Sequence, residues 1–352
     1  MKQQLLFIML VAATGLCTNA NAKIWRVNNN AGVIADFTSF NAAVTSASVV
    51  NGDTLHFEAS ATSYGDAVLT KRLVLLGTGY FLSGSNSNAG LQANTNAAQL
   101  GGINIDTLGS GSIIDGLQVL YIANRQNQGY GADNITITRC YIANSSFYDQ
   151  CCGTQSASNT NDGWKINKCY INNINASAAS RHNWDVENNI FTSAVDLSNA
   201  ANAGNVVRNN VFRGSVNVYN GYFANNIIVN TTITLTNTVA KNNLVEGQPS
   251  SFSSYQGTNG NSWNYNDAQL FQGITSNSTD GQWRLATSSP AISAGLTVGS
   301  VTTPDCGAFG GPDPYILSGI PPIPTIYTLT VPASIPTGAT SMTVTFSTKS
   351  NP

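Results

Sequence analysis

A six-residue pattern recurs along the chain: an apolar residue, a spacer, two polar residues and two apolar ones. It reads VENNIF at 186–191, VRNNVF at 207–212, FANNII at 223–228 and AKNNLV at 240–245. ITRCYI at 137–142 and INKCYI at 166–171 keep the frame with Cys in place of the second Asn. With the second polar position as marker, Gly116, Cys140, Cys169, Asn189, Asn210, Asn226 and Asn243 follow one another by 24, 29, 20, 21, 16 and 17 residues. A constant local pattern at variable spacing predicts the coils of a solenoid with unequal loops. Apolar residues do not return every three or four positions, which excludes a helical repeat. Runs such as NITITRCYI, GNVVRNNVF and NTTITLTNTV are rich in β-branched residues and read as strands.

The frame then has a physical meaning. Ile113, Ile137, Ile166, Val186, Val207, Phe223 and Ala240 form one apolar column. Tyr141, Tyr170, Ile190, Val211, Ile227 and Leu244 form a second, and Ile142, Ile171, Phe191, Phe212, Ile228 and Val245 a third. A strand sends alternate side chains to opposite faces, so a corner is needed to start a new inward set. Asn and Gly tolerate the left-handed backbone of such a corner. Asn residues stacked at the ~4.8 Å strand spacing can also hydrogen-bond up and down as a ladder. Just before the marker, Asp115, Arg139 and Lys168 share a position and read as a charged version of that column. Glu187 and Arg208, one position earlier still, read as a pair.

Composition narrows the class. Charged residues are 9% of 352, and the net charge of −2 offers no basic field for a polyanion, which argues against nucleic acid. MKQQLLFIMLVAATGLCTNANA has a basic Lys2, an apolar run from Leu5 to Ala13, and small residues at Ala20 and Ala22. It reads as a signal peptide over 1–22, cleaved near Ala22, and predicts a secreted or cell-surface protein. No later segment is long and apolar enough for a membrane span. After cleavage Cys140, Cys151, Cys152, Cys169 and Cys306 are left, an odd number in a compartment that permits disulfides. Cys140 and Cys169 fall on neighbouring coils, where either a bridge or two packed thiols fits. Two His and no paired Cys-x-x-Cys elements make zinc a poor reading, and the sequence names no metal.

DFTSFNAAVTSASVVNGDTLHF at 36–57 predicts a short amphipathic helix burying Phe37, Phe40, Ala43 and Val44, then a turn and a strand. AVLTKRLVLLGTG at 67–79 predicts a strand ending in a Gly turn. With SPAISAG at 289–295 and DCGAFGG at 305–311, these segments resemble the first and last coils of the pectin-lyase-like superfamily, over about residues 30–311. The resemblance implies an all-β fold, a right-handed parallel β-helix of ten to twelve coils, and leaves the activity open. The expected organisation is a signal peptide (1–22), an N-terminal cap with a helix (23–50), the β-helix (51–311) and a Pro-rich linker with a terminal β-hairpin or tail (312–352). Its TIYTLTV and SMTVTFST alternate like two strands.

The same frame aligns Asp133, Asp162 and His182 in one column, in DNITI, DGWKI and HNWDV, and Trp164 with Trp184 in another. The longest gap, 29 residues, lies beside them. Its loop carries Phe147, Tyr148 and Asp149, and Arg181 precedes His182. One reading is a glycan groove: Asp162, His182 and Asp133 for acid–base work, Trp164, Trp184, Tyr148 and Arg181 for holding sugar. The other is that the three polar residues close turns. NTNDG at 159–163 is similar to the Asn-Thr-Asp motif of polygalacturonases, but the Asp-Asp pair, Gly-His-Gly and Arg-x-Lys of that family are absent in order. The acidic Ca²⁺ cluster of pectate lyases is not evident either, so Ca²⁺ belongs only to a lyase-like variant of the reading and no other cofactor is expected. The leading expectation is a monomeric β-helix protein that binds a polysaccharide or cell-surface glycan, or adheres, without catalysis. The alternative is a polysaccharide lyase or glycoside hydrolase acting on acidic polysaccharide.

Overall fold

In the computed structural model, residues 22–124, 131–143, 147–148, 161–176, 182–229, 232–248, 250–255, 257–335 and 337–351 are described. They form an all-β parallel solenoid of about nine turns with two short helices. Ten parallel strands make sheet A, from Ile24–Val27 through Thr54–Phe57 and onward to Gly221–Ala224 and Val239–Lys241. A second sheet, B, forks at Gln118–Asn124. One arm runs through Tyr141–Ile142 and Tyr170–Ile171 to Leu244–Glu246 and Ser262–Tyr265. The other runs through Ile174–Asn175 and Val195–Leu197 to Ile233–Thr236.

Each coil is built on alternation. In sheet A, Ile137, Ile166, Val186, Val207 and Phe223 stack by register and are buried. Ile114, not Ile113, continues that column: Ile114 pairs with Ile137, while Ile113 points outward and is 37% exposed. The first coils are therefore shifted by one from the frame set by Gly116. Leu117, not Gly116, occupies the marker column above Cys140, and Gly116 shares the position of Arg139. Asp115 falls opposite Thr138 and reaches Arg139 diagonally, at 2.8 Å to Nε and 2.5 Å to Nη2. Glu187 and Arg208 do stand opposite each other, 2.7 Å apart.

The corner divides its labour between two residues. Positive φ falls on the first polar residue of each pair: Arg139, Lys168, Asn188, Asn209, Asn225 and Asn242, at 49° to 55°. The second turns inward. Asn189 donates to Asn210 Oδ1, Asn210 to Asn226, Asn226 to Asn243 and Asn243 to Asn261, through both main-chain N–H and side-chain amide at 2.9–3.1 Å. Each amide also donates to a carbonyl one coil back, as Asn210 does to Val186 at 2.8 Å. These amides are 0–2% exposed, and such pairing offsets the ~1–3 kcal/mol that an unpaired buried polar group costs. Cys140 and Cys169 continue the column as reduced thiols, the Cys140 N–H donating to Cys169 Sγ at 3.4 Å.

The solenoid begins before residue 51, because Ile24–Val27 already pairs with Thr54–Phe57. A helix, α1 (Phe40–Thr45), is capped by Ser39 and buries Phe40, Ala43 and Val44. The run at 67–79 is not one strand. Ala67–Leu69 belongs to sheet B and Val74–Leu76 to sheet A, with a corner between them. After Ser262–Tyr265 the chain does not add a further coil. It makes a second helix, α2 (Asp267–Leu270), and then runs back along the rod. Along this return, Asn242 donates to Ala294, Asn225 to Leu296, Asn209 to Asp305 and Asn188 to Ala308 and Gly310. Lys168 meets Asp313 at 2.6 Å, and Tyr80 N–H donates to Ser318 at the far end. This strap covers the outward column of Tyr170, Ile190, Val211, Ile227 and Leu244, forming a second buried cluster with Cys306, Ala308 and Tyr315. Beyond it, Thr325–Thr330 and Thr345–Lys349 pair antiparallel, a hairpin where the sequence left hairpin or tail open.

Candidate functional site

Asp133, Asp162 and His182 do stack on consecutive coils, at the corner that leads into sheet A. Each precedes a left-handed residue: Asn134, Gly163 and Asn183. A corner N–H here lies outside the strand ladder and needs an acceptor from elsewhere. Side chains supply it. Ser110 Oγ accepts from Asp133 N (3.1 Å), Asp133 Oδ1 from Asp162 N (2.9 Å), and Asp162 Oδ1 from His182 N (3.0 Å). Main-chain carbonyls complete the staircase, Asp162 O accepting from Asn134 N and His182 O from Gly163 N. His182 Nδ1 lies 2.9 Å from the same Asp162 oxygen. A carboxylate only accepts, so that contact puts the proton on Nδ1 and turns Nε2 away. Both side chains are 35% exposed.

This geometry closes coils. Hydrolysis of a glycoside needs one carboxyl to give a proton and a second to attack or to activate water across the bond. Here Asp133 and Asp162 sit on one side, one above the other, each holding one main-chain N–H.

Trp164 and Trp184 were expected on the sugar-facing wall, and their placement is a correction. They stack at 5.2 Å with planes 15° apart, but inside the coil, 0% and 1% exposed. Trp164 Nε1 donates to Ala132 O at 2.6 Å and Trp184 Nε1 to Asn161 O at 2.5 Å. Neither ring presents a face to a ligand. The cause is parity: two positions after the column of Asp133, Asp162 and His182, past a left-handed residue, the side chain points inward with Ile135. Tyr148 lies in a strand, Phe147–Tyr148, whose backbone pairs with Ala123 and Asn175. Its side chain, Arg181, Asp149, Cys151, Cys152 and residues 1–21 lie outside the described residues.

What faces outward from sheet A is the next position. Lys165, Asp185, Val206, Tyr222 and Val239 form a column by register. Lys165 and Val239 are exposed and the other three half-buried, so the column meets solvent across five consecutive strands. The neighbouring outward column holds the Glu187–Arg208 pair, where burial pushes the Glu187 carboxyl up against the pull of the guanidinium. The alternation in KIN, DVE and VVR was the available signal for this face. Among the described residues no group of three or more His, Cys, Asp or Glu could hold a metal ion, and no helix is long and apolar enough to cross a membrane. No protein-family model matches the chain, and neither does any curated protein.

Proposed function

We propose that the chain is an exported extracellular or cell-surface protein, wound right-handed like the pectin-lyase-like proteins, that binds a polysaccharide or cell-surface glycan as a monomer and does not cleave it. One observation carries this reading: a solvent-facing column along sheet A joins Lys165, Asp185 and Tyr222, while Asp133 and Asp162 stand on one side of the coil corner, each holding a main-chain N–H through one oxygen. A tyrosine ring gives a sugar an apolar face to rest on and a hydroxyl to bond, and the flanking charges orient its hydroxyls. Parallel strands set one outward side chain of this column at every ~4.8 Å step, a spacing suited to a linear polymer.

A glycan array followed by reducing-sugar and unsaturated-product assays on every hit tests it. Binding without product is expected, unchanged in Asp162→Asn and weakened in a Lys165→Ala, Tyr222→Ala double variant. Product formation that Asp162→Asn abolishes would replace this reading with a lyase or hydrolase.

A further inference from the structure

We infer that a cleft near the N-terminal end of the rod is a second, separate binding site, taking a short uncharged oligosaccharide. It has a volume of about 550 Å³, within the ~300–1,000 Å³ usual for small-molecule sites. Four segments of the chain build it. Strand Thr54–Phe57 and the residues after it contribute His56 and Glu58, the next coil Gly77 and Thr78, and the loop that follows Gln92, Asn94 and Thr95. The opposite wall is aliphatic: Pro321, Ile323, Pro324, Ile326 and Leu329, where the chain leaves the strap and enters the hairpin. The Ala93 N–H donates to Ile326 O at 2.8 Å, joining loop and hairpin across the cleft.

The polar wall has unspent hydrogen-bonding groups in a fixed frame. Glu58 is held by Arg26 (2.5 Å) and by the Asn28 amide (2.6 Å), which keep its carboxyl below the usual range. His56 is half-buried, and its ring makes no hydrogen bond to any described residue; burial pushes its pKa down, so it is uncharged at neutral pH. Gln92 spends its amide N–H on Thr78 O, which orients the side chain, and Asn94 Oδ1 accepts from Asn96 N. Among the described residues, the Asn94 amide nitrogen and the Thr95 hydroxyl have no partner.

Charge and shape select the ligand. Glu58 is the one charged side chain lining the cleft, and Arg26 behind it binds both carboxyl oxygens; with that charge already paired, little in the cleft offsets the desolvation of a charged ligand. Amide, imidazole and hydroxyl groups facing an aliphatic wall match a molecule with hydroxyls on its edge and C–H groups on its face. An extended peptide fits less well. A polyproline helix needs an aromatic-lined groove, and strand addition needs a vacant edge, whereas Ile326 O on the facing edge already accepts from Ala93.

The test is saturation-transfer NMR and titration calorimetry on the whole chain. The probes are maltotetraose, cellotetraose, xylotetraose and mannotetraose, with tetragalacturonate and an uncharged Pro-rich decapeptide beside them. At least one neutral tetrasaccharide is expected to bind. His56→Ala and Asn94→Ala should each weaken it tenfold or more, and Tyr222→Ala on the lateral face should leave it unchanged. Asn94 lies on an exposed loop, so its substitution still reports if the His56 variant misfolds. The inference is overturned if no neutral tetrasaccharide binds, if both cleft variants bind as the parent does, or if tetragalacturonate or the peptide binds more tightly. Failure of the lateral-face reading would show separately, as long polysaccharide binding that Tyr222→Ala does not touch.

Discussion

The two asparagines of each coil look interchangeable in sequence and do different physical work. Asn209 has φ near 53° and donates to Asp305 O. Asn210 is buried and accepts from both the main-chain N–H and the side-chain amide of Asn189. Asn209→Ala loses the bond to Asp305 and the polar side chain by which Asn tolerates the left-handed region, at about 1–2 kcal/mol. Asn210→Ala leaves the Asn189 main-chain N–H and one of its two amide hydrogens buried without an acceptor, at ~1–3 kcal/mol each, so its loss should be about twice as large. Urea unfolding of both variants measures the difference; equal losses would mean the ladder adds nothing. The repeat exposed both residues, but not which bore the backbone strain, because Gly116 seemed to mark the ladder position and in fact holds the left-handed one. The thiols behave by the same rule of burial. Burial pushes the Cys140 thiol up and that of Cys306 to about 12, so both stay neutral at pH 8.5. Iodoacetamide at that pH should leave peptides holding either residue unmodified in the folded protein and alkylate them in urea. Mass spectrometry reads the outcome, and labelling at native rates comparable to those in urea would contradict it.

At the scale of elements, the solenoid strands were legible and the strap was not. Local alternation marks strands because the period is set by backbone geometry. The strap has no period of its own; it follows the coils it covers. A signal was nevertheless present. A two-residue strand must send one side chain in and one out, so two adjacent apolar columns, such as Tyr170 with Ile171, require a cover over one of them. The candidate column of Asp133, Asp162 and His182 was found for the same reason that strands were. Trp164 and Trp184 were correctly aligned with each other but assigned to the wrong side of the wall. Asp280 anchors the strap. Fully buried, it accepts from Ser318 N (2.7 Å), the Asn88 amide (2.8 Å), Ser278 Oγ (2.9 Å) and Tyr315 OH (3.2 Å). Hydrogen bonds to a charged group contribute ~1.5–3 kcal/mol each, so Asp280→Ala should ease local opening by at least about 3 kcal/mol. Hydrogen exchange is expected to accelerate more than a hundredfold at Gly307, Tyr315 and Gly319, while the strand amides of Val186 and Val207 keep their protection. Uniform acceleration would instead show that strap and coils open as one unit.

For the whole molecule, the stacked rod makes distance along the axis a functional coordinate. Sheet A has ten strands, and nine steps of ~4.8 Å give a face of roughly 43 Å. A polymer lying along it meets a further outward side chain at each coil it reaches, so affinity should rise with chain length until the face is spanned. Each added contact holds the ligand near the next, which lowers the cost of forming it. The cleft between His56 and the hairpin has no such repeat, and its approximately 550 Å³ admits only a few sugar units. The two sites therefore differ in the form of their length dependence as well as in location. In a series of oligosaccharides from two to twelve units, cleft affinity should level off at about four, while lateral affinity continues to climb. Lys165→Ala with Tyr222→Ala should flatten the climb without moving the early plateau, and His56→Ala should remove the plateau while leaving the climb. One plateau at four units, unaffected by the lateral substitutions, would mean that the rod presents the cleft and that its long face binds nothing.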